Sequence, residues 1–500
     1  MLQLMHSWIR FIKSRFIGVS IILCMCFSGC ISAGSFSSFS AEESTPGSYS
    51  GSSAEESIPA QNIFPDWDYN EDKAQIFSQR RAAVTENGYY FEAGHILYYY
   101  DIEEETAFPL CTKESCLHQD KHCNAYVTEY SPENGKIIVT CDHYMIIPHD
   151  RQLYMFSRDQ NGDLYLDEYK ANFTEKKKLA CLTGYTKTPR IMAMGIESML
   201  EHGGYYYYLV AEYDDGKVSK SEYDARFTLC RIKLEKDAVP EELYSFNYIL
   251  DYSVTLLDAS GAHIFALDDD IYCVASSYYR AFSKDNTIQQ RVIRYNEKDG
   301  AELIWEYTGD DYKGLLNAAV PPPASMYNAF LQENGDLVYV SAYPVTGKGG
   351  LYSVNLISGE GRALYQCPHK YIAAVSSDGN YYYIIEVDDG ETFLVAVDRD
   401  GTEVRRHQFE FTEAYQEQIE NRGIRKEECV SGGILFMVTD GRYIMIWAGD
   451  STGDGGVYQN LSTDKLLSRE AWDDGACTGV GLILTEDFIN GKDVEIRQIY

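Results

Sequence analysis

The stretch CTKESCLHQDKHC, residues 111–123, sets three cysteines and a histidine at the spacing C-x4-C-x-H-x4-C: Cys111, Cys116, His118 and Cys123. Thiolates and imidazole are soft or borderline donors. Four of them in so short a loop can close around one tetrahedral Zn²⁺, with sulfur at ~2.3 Å and nitrogen at ~2.0 Å. Such a zinc is structural, because four protein donors leave no open position for water or substrate. His122 is a substitute nitrogen donor, made awkward by its adjacency to Cys123. The residues admit a second chemistry. In an exported protein a disulfide between Cys116 and Cys123, or between Cys111 and either, staples the loop. A local disulfide leaves one of the three thiols over, and reduced structural thiols are the third reading.

Other reactive patterns are weaker. DRDG (398–401), DQNGD (159–163) and STGDGG (451–456) place carboxylates and glycine as calcium loops do. None carries the bidentate Glu such a loop needs, and hairpin turns use the same residues. LDDD, 267–270, reads as a solvated turn in the same way. YNEKDGAELIWEY, 295–307, resembles the tail of a quinoprotein propeller repeat. Those repeats carry tryptophan blade after blade, whereas most copies here lack a counterpart of Trp305, which argues against a quinone-dependent dehydrogenase. No G-x-S-x-G elbow occurs. Paired carboxylates meet in space rather than in sequence, so an envelope glycosidase or polysaccharide lyase stays as the alternative function, with no catalytic residue assigned.

The elements that must hold the cysteine loop come from internal repetition. An alternating apolar strand, a turn of Asp, Asn, Gly or Glu and a second strand recur in LYYYDIEEETAFPL from Leu97, LYLDEYKANFTEKKKLACL from Leu164 and LCRIKLEKDAVPEELYSF from Leu229. VIRYNEKDGAELIWEY from Val292, LYSVNLISGEGRALYQC from Leu351 and FLVAVDRDGTEVRRHQF from Phe393 continue the series, and VYQNLSTDKLLSREAW from Val457 is its weakest member. Most copies follow another aromatic strand opened by a glycine turn, as in NGYYFEAGHILYYY from Asn87 and GGYYYYLVAEYDDG from Gly203. Two hairpins per unit, repeated every 40–65 residues or so, predict an all-β chain: a β-propeller of about seven four-stranded blades. Tandem β-sandwiches are the competing arrangement. The C-terminal VEIRQIY, 494–500, is expected to complete a blade together with N-terminal strands, and FTEAYQEQIENRG, 411–423, to form a helix capped by Thr412 and stopped by Gly423. Cys230 and Cys273 fall inside apolar strand patterns and read as small buried hydrophobes.

The first residues give the compartment. Arg10, Lys13 and Arg15 precede an apolar run from Phe16 to Phe27, followed by Ser28, Gly29 and Cys30. The run is of signal-peptide length and falls short of the ~20 residues of a membrane span. The segment resembles a bacterial lipobox, with Phe27 in place of the usual Leu; this implies cleavage before Cys30 and a diacylglycerol thioether on its sulfur. Residues 31–60 are rich in Ser, Gly, Ala and Glu and cannot form a core. The expected organisation is therefore a signal peptide at 1–29, a lipidated Cys30 with a flexible tether to 64, and a propeller from 65 to 500.

The 500-residue chain carries a net charge of −33, and the leader holds three of its basic residues. Phosphate backbones repel such a surface, so nucleic acid is excluded as a partner. With the signal and the Ser-rich tether, PLCTKESCLHQDKHCNAY resembles an uncharacterised group of propeller-type surface lipoproteins from anaerobic Gram-positive gut bacteria. Leu110, Cys111, Lys113, Cys116, His118, Cys123 and Ala125 match the group's segment, and Glu114 stands where the group often has Pro. The resemblance implies a propeller lipoprotein and supplies no activity. The expected function is extracytoplasmic binding: a membrane-anchored propeller that takes a glycan, a peptide or another envelope protein, with some of its 42 tyrosines available as aromatic surface.

Overall fold

The structure is a computed structural model. It describes residues 82–499 except 86, 94–95, 112, 114, 119–122, 127–146, 150–151, 159–163, 170–175, 183–190, 194–198, 214–221, 252–259, 280–286, 310–313, 322–328, 344–347, 368–370, 389–390, 410–433 and 449–478. Strands dominate, sorted into seven antiparallel sheets in which spatial order follows chain order. Blade I is Ala82–Val84, Gly88–Ala93, Ile96–Asp101 and Thr106–Pro109. Blades II to VII follow over 147–181, 191–251, 260–309, 330–366, 371–409 and 434–498. Blade III has its first strand in two pieces, Ile191–Ala193 and Met199–His202, both paired with Tyr205–Tyr213. The chain is a seven-bladed β-propeller, and the six repeat hairpins that fall on described residues are the third and fourth strands of blades I to VI.

Its second strands explain the aromatic runs. Side chains alternate between the two faces of a strand, and in a propeller both faces are covered by neighbouring blades. Tyr206, Tyr208 and Val210 enter a buried cluster shared with blade II, while Tyr207 and Leu209 enter one shared with blade IV. Leu337 and Tyr339 face blade IV, and Val338 and Val340 face blade VI, in the same way. Each fully buried Leu or Val contributes about 1.5–3 kcal/mol over leaving it exposed. Among the described residues six such clusters run round the molecule, and one of them joins blades VII, I and II, which closes the ring.

Closure differs from the sequence expectation. Arg497–Gln498 pairs with Gly479–Leu484 of its own blade, and blade I draws all four strands from 82–109. The N-terminal segment already contains two complete hairpins, so it offers no vacancy for 494–500. Side chains seal the ring instead. Trp447 Nε1 donates to Glu92 O at 3.1 Å, Tyr89 OH to Asp440 Oδ1 at 2.9 Å and Arg442 Nη2 to Thr85 O at 2.8 Å. Arg497 pairs with Glu105 at 2.6 Å. The helix expected at 411–423 and the repeat copy from Val457 lie outside the described residues. A five-residue helix, Thr485–Ile489, sits between the last two strands of blade VII and had no sequence expectation.

Two acidic motifs resolve as turns. Asp398 Oδ1 accepts the amides of Asp400 and Thr402 at 3.0 and 2.8 Å, and Gly401 has φ +88°. Leu267 and Asp270 pair directly, making LDDD a two-residue hairpin loop. Residues 159–163 and 451–456 lie outside the described residues.

Candidate metal centre

The cysteine loop leaves blade I where Pro109 ends the outermost strand. Leu110 is buried, and its amide donates to Leu97 O at 2.9 Å. Fifteen residues further on the chain returns: Leu97 N donates to Ala125 O at 2.9 Å, and Ile96 bridges Tyr126. Both ends of the excursion are thus fastened to the two backbone groups of one residue, Leu97. The loop continues the fourth-strand position of blade I after a detour.

Local turns fold the detour on itself. Cys111 N donates to Pro109 O at 2.8 Å, Cys116 N to Lys113 O at 3.3 Å, and Tyr126 N to Cys123 O at 3.2 Å. Ser115 and His118 take left-handed backbone angles, φ +61° and +53°. For residues with a Cβ that conformation costs about 1–2 kcal/mol each. Two such residues in one short loop are a local cost that something at the site must offset.

The donors meet. One donor atom from each of Cys111, Cys116, His118 and Cys123 lies within 4.8 Å of all the others, and His118 Nδ1 stands 3.4 Å from Cys123 Sγ. Around tetrahedral zinc, the usual bond lengths imply S···S of about 3.8 Å and S···N of about 3.5 Å. The His118–Cys123 distance already matches, and no pair of donors needs to contract by more than about 1 Å. Cys111, Cys116 and Cys123 are free thiols. Cys123 is 5% exposed, the other three donors are half-buried, and the sulfurs rest against the cluster that joins blades VII, I and II. His122 lies outside the described residues.

The electrostatics suit a cation. Burial pushes the Cys123 thiol up to about 12, with the neighbouring Cys111 adding to the effect. At Cys111 burial acts upward too, but hydrogen bonds from the Lys113 and Asn124 backbone and from Cys123 and Cys116 bring the thiol below its usual value. Burial holds the His118 imidazole below its ordinary value, so the ring is neutral and its nitrogen is available to a metal at neutral pH. A divalent ion at the centre of these sulfurs removes the mutual repulsion that opposes a second and third thiolate. The set is therefore able to bind a metal.

The remaining cysteine expectations divide in two. Cys230 and Cys273 are fully buried between blades, as their strand context implied, and burial alone pushes Cys273 up to about 12. Cys30, like every residue before 82, lies outside the described residues. Among the described residues no helix is long and apolar enough to cross a membrane.

No family model matches the chain, and no curated protein does. Solved structures similar to it match at low identity. Puromycin hydrolase is 12% identical over 87% of this chain, with a TM-score of 0.45; this chain spans about half (55%) of that one. A puromycin-hydrolyzing peptidase of Mycobacterium tuberculosis gives 11% identity, 87% and 56% coverage and a TM-score of 0.43. An oligogalacturonate lyase in complex with manganese gives 14%, 75%, 84% and 0.37. The fold of the present chain rests on its own strand pairing, and from it no activity follows.

Proposed function

We propose that this protein is an extracytoplasmic lipoprotein, acylated at Cys30 and tethered by the segment to residue 64, whose propeller is a binding module for a glycan, a peptide or another envelope protein. One Zn²⁺ held by Cys111, Cys116, His118 and Cys123 fixes the edge of blade I, the first blade after the tether in sequence. The observation that carries the metal part is the convergence of four donor atoms within 4.8 Å on a loop with two left-handed non-glycine residues. Zinc supplies the binding free energy that offsets that backbone cost, and a full set of protein donors gives it a structural role. The lipobox resemblance and the Ser/Gly-rich tether support the anchor.

Two measurements test this. The mature protein, purified without oxygen or chelator, is expected to hold about one equivalent of zinc with all three loop thiols reactive after denaturation. Protein without metal and with two of those thiols missing would falsify the zinc and establish a disulfide staple. Separately, Cys30→Ser is expected to abolish labelling by a fatty-acid probe and leave an uncleaved precursor; undiminished label removes Cys30 as the anchor. Glycan and peptide arrays probed with the mature chain then identify the partner class.

A further inference from the structure

The zinc reading has a chemical corollary in how unequally the cysteines are exposed. Cys123 is buried in the cluster that joins blades VII, I and II, whereas Cys111 and Cys116 pack against it half-buried. All three sulfurs lie within 4.8 Å of one another, and Cys111 shares hydrogen bonds with both Cys116 and Cys123. A disulfide needs its sulfurs at ~2.05 Å. Cys111 and Cys116 are the pair nearest in sequence, five positions apart, so the bond between them closes the shortest loop the three cysteines allow. Elsewhere, Cys230, Cys273 and Cys367 are sealed between blades at 0–1% exposure, out of reach of a dissolved oxidant.

We infer that Cys111 and Cys116 are a modification site for hydroperoxides, whose oxidation to a disulfide expels the zinc. The inference rests on the zinc reading above. The Cys111 thiolate attacks the O–O bond of hydrogen peroxide, giving a sulfenic acid and hydroxide. The Cys116 thiolate then attacks that sulfur, forming the S–S bond and releasing a second hydroxide. Two protons from water or buffer convert the two hydroxides to water. The sulfur pair loses two electrons in all, and the peroxide gains them. Cys123 and His118 remain, and two donors cannot retain an ion that four held. Ion loss is therefore complete at one event per molecule. The loop stays clipped to Leu97 at both ends while its centre is remade, so the edge of blade I changes shape without the propeller unfolding.

The test uses the full mature protein, zinc-loaded and free of oxygen, titrated with hydrogen peroxide. Metal content is measured first, then released zinc by a chromogenic chelator, thiol count after denaturation, and the disulfide by peptide mass mapping. One zinc released and two thiols lost per peroxide consumed, with a Cys111–Cys116 bond that dithiothreitol and zinc together reverse, is the expected result. A Cys181→Ser variant is expected to respond identically. Zinc retained under a tenfold excess of peroxide overturns the inference, as does release with sulfonic acids and no disulfide. A bond involving Cys123 overturns the pair assignment. Protein that holds no zinc before peroxide is added overturns the metal reading instead, so the two failures are distinguishable.

Discussion

At the scale of single residues, the chain uses one residue type in two opposed ways. Cysteines of the 111–123 loop face each other and a histidine, whereas Cys273 is walled in by blades III and IV. Burial holds the Cys273 thiol protonated up to about 12, against an ordinary value of 9.0. Its alkylation by iodoacetamide at pH 8 is therefore expected only from unfolded protein, with labelling tracking the unfolding transition; native-state labelling at the rate of a free thiol would contradict the packing. The sign of the linkage follows. In the unfolded chain this thiol ionises near pH 9, so its contribution to stability is fully present below that pH. It is lost as pH rises towards about 12. The donors of the loop were legible in the sequence because all four fall within thirteen residues. Their fastening to Leu97 was not, since the Ile96–Tyr126 bridge joins positions thirty residues apart and leaves no local pattern.

At the scale of elements, turn chemistry and alternation made most hairpins readable. DRDG is an example: Asp398 caps the turn and Gly401 supplies the left-handed angle. Gly401 is constrained twice, because a Cβ there would also meet Leu364 O at 1.8 Å. Gly401→Ala is expected to destabilise the protein by about 2–3 kcal/mol, read as a lower denaturant midpoint with unchanged slope. A shift below about 0.5 kcal/mol would mean that the neighbouring backbone gives way more readily than its close packing implies. Elements without such chemistry escaped the sequence. Thr485–Ile489 has no side-chain cap, is preceded by Leu484 and is only five residues long. Its two first-turn acids, Glu486 and Asp487, were the sole signal. The C-terminal strand was recognised as a strand but given the wrong partner, because an alternating seven-residue segment fits the open edge of any sheet.

At the scale of the whole molecule, the joint between blades VII and I depends on contacts between residues 351 to 397 positions apart in sequence. Bringing together the ends of a chain that long costs about 5 kcal/mol in closure entropy. The opposing terms are the buried cluster around Trp447 and the polar bonds of Asp440, Arg442 and Arg497. Asp440 is central: it holds Tyr89 OH and Arg442, and its own turn amides. Burial and the Asp440 charge push the Tyr89 hydroxyl up, so it remains a donor to that carboxylate throughout the ordinary pH range. Asp440→Ala is expected to cost about 2–4 kcal/mol and to raise amide exchange in 82–109 and 434–448 above that of blades III to V. Uniform exchange across all blades would show that the joint does not open first. The same construction bears on gene order. Among the described residues no sheet takes strands from both ends of the chain, so the blades form a cyclic series in which the starting point is arbitrary. A circular permutant of the propeller that links residue 499 to residue 82 and begins at another blade boundary is therefore expected to keep every strand pairing among the described residues, moving the joint between blades VII and I to a different place on the ring.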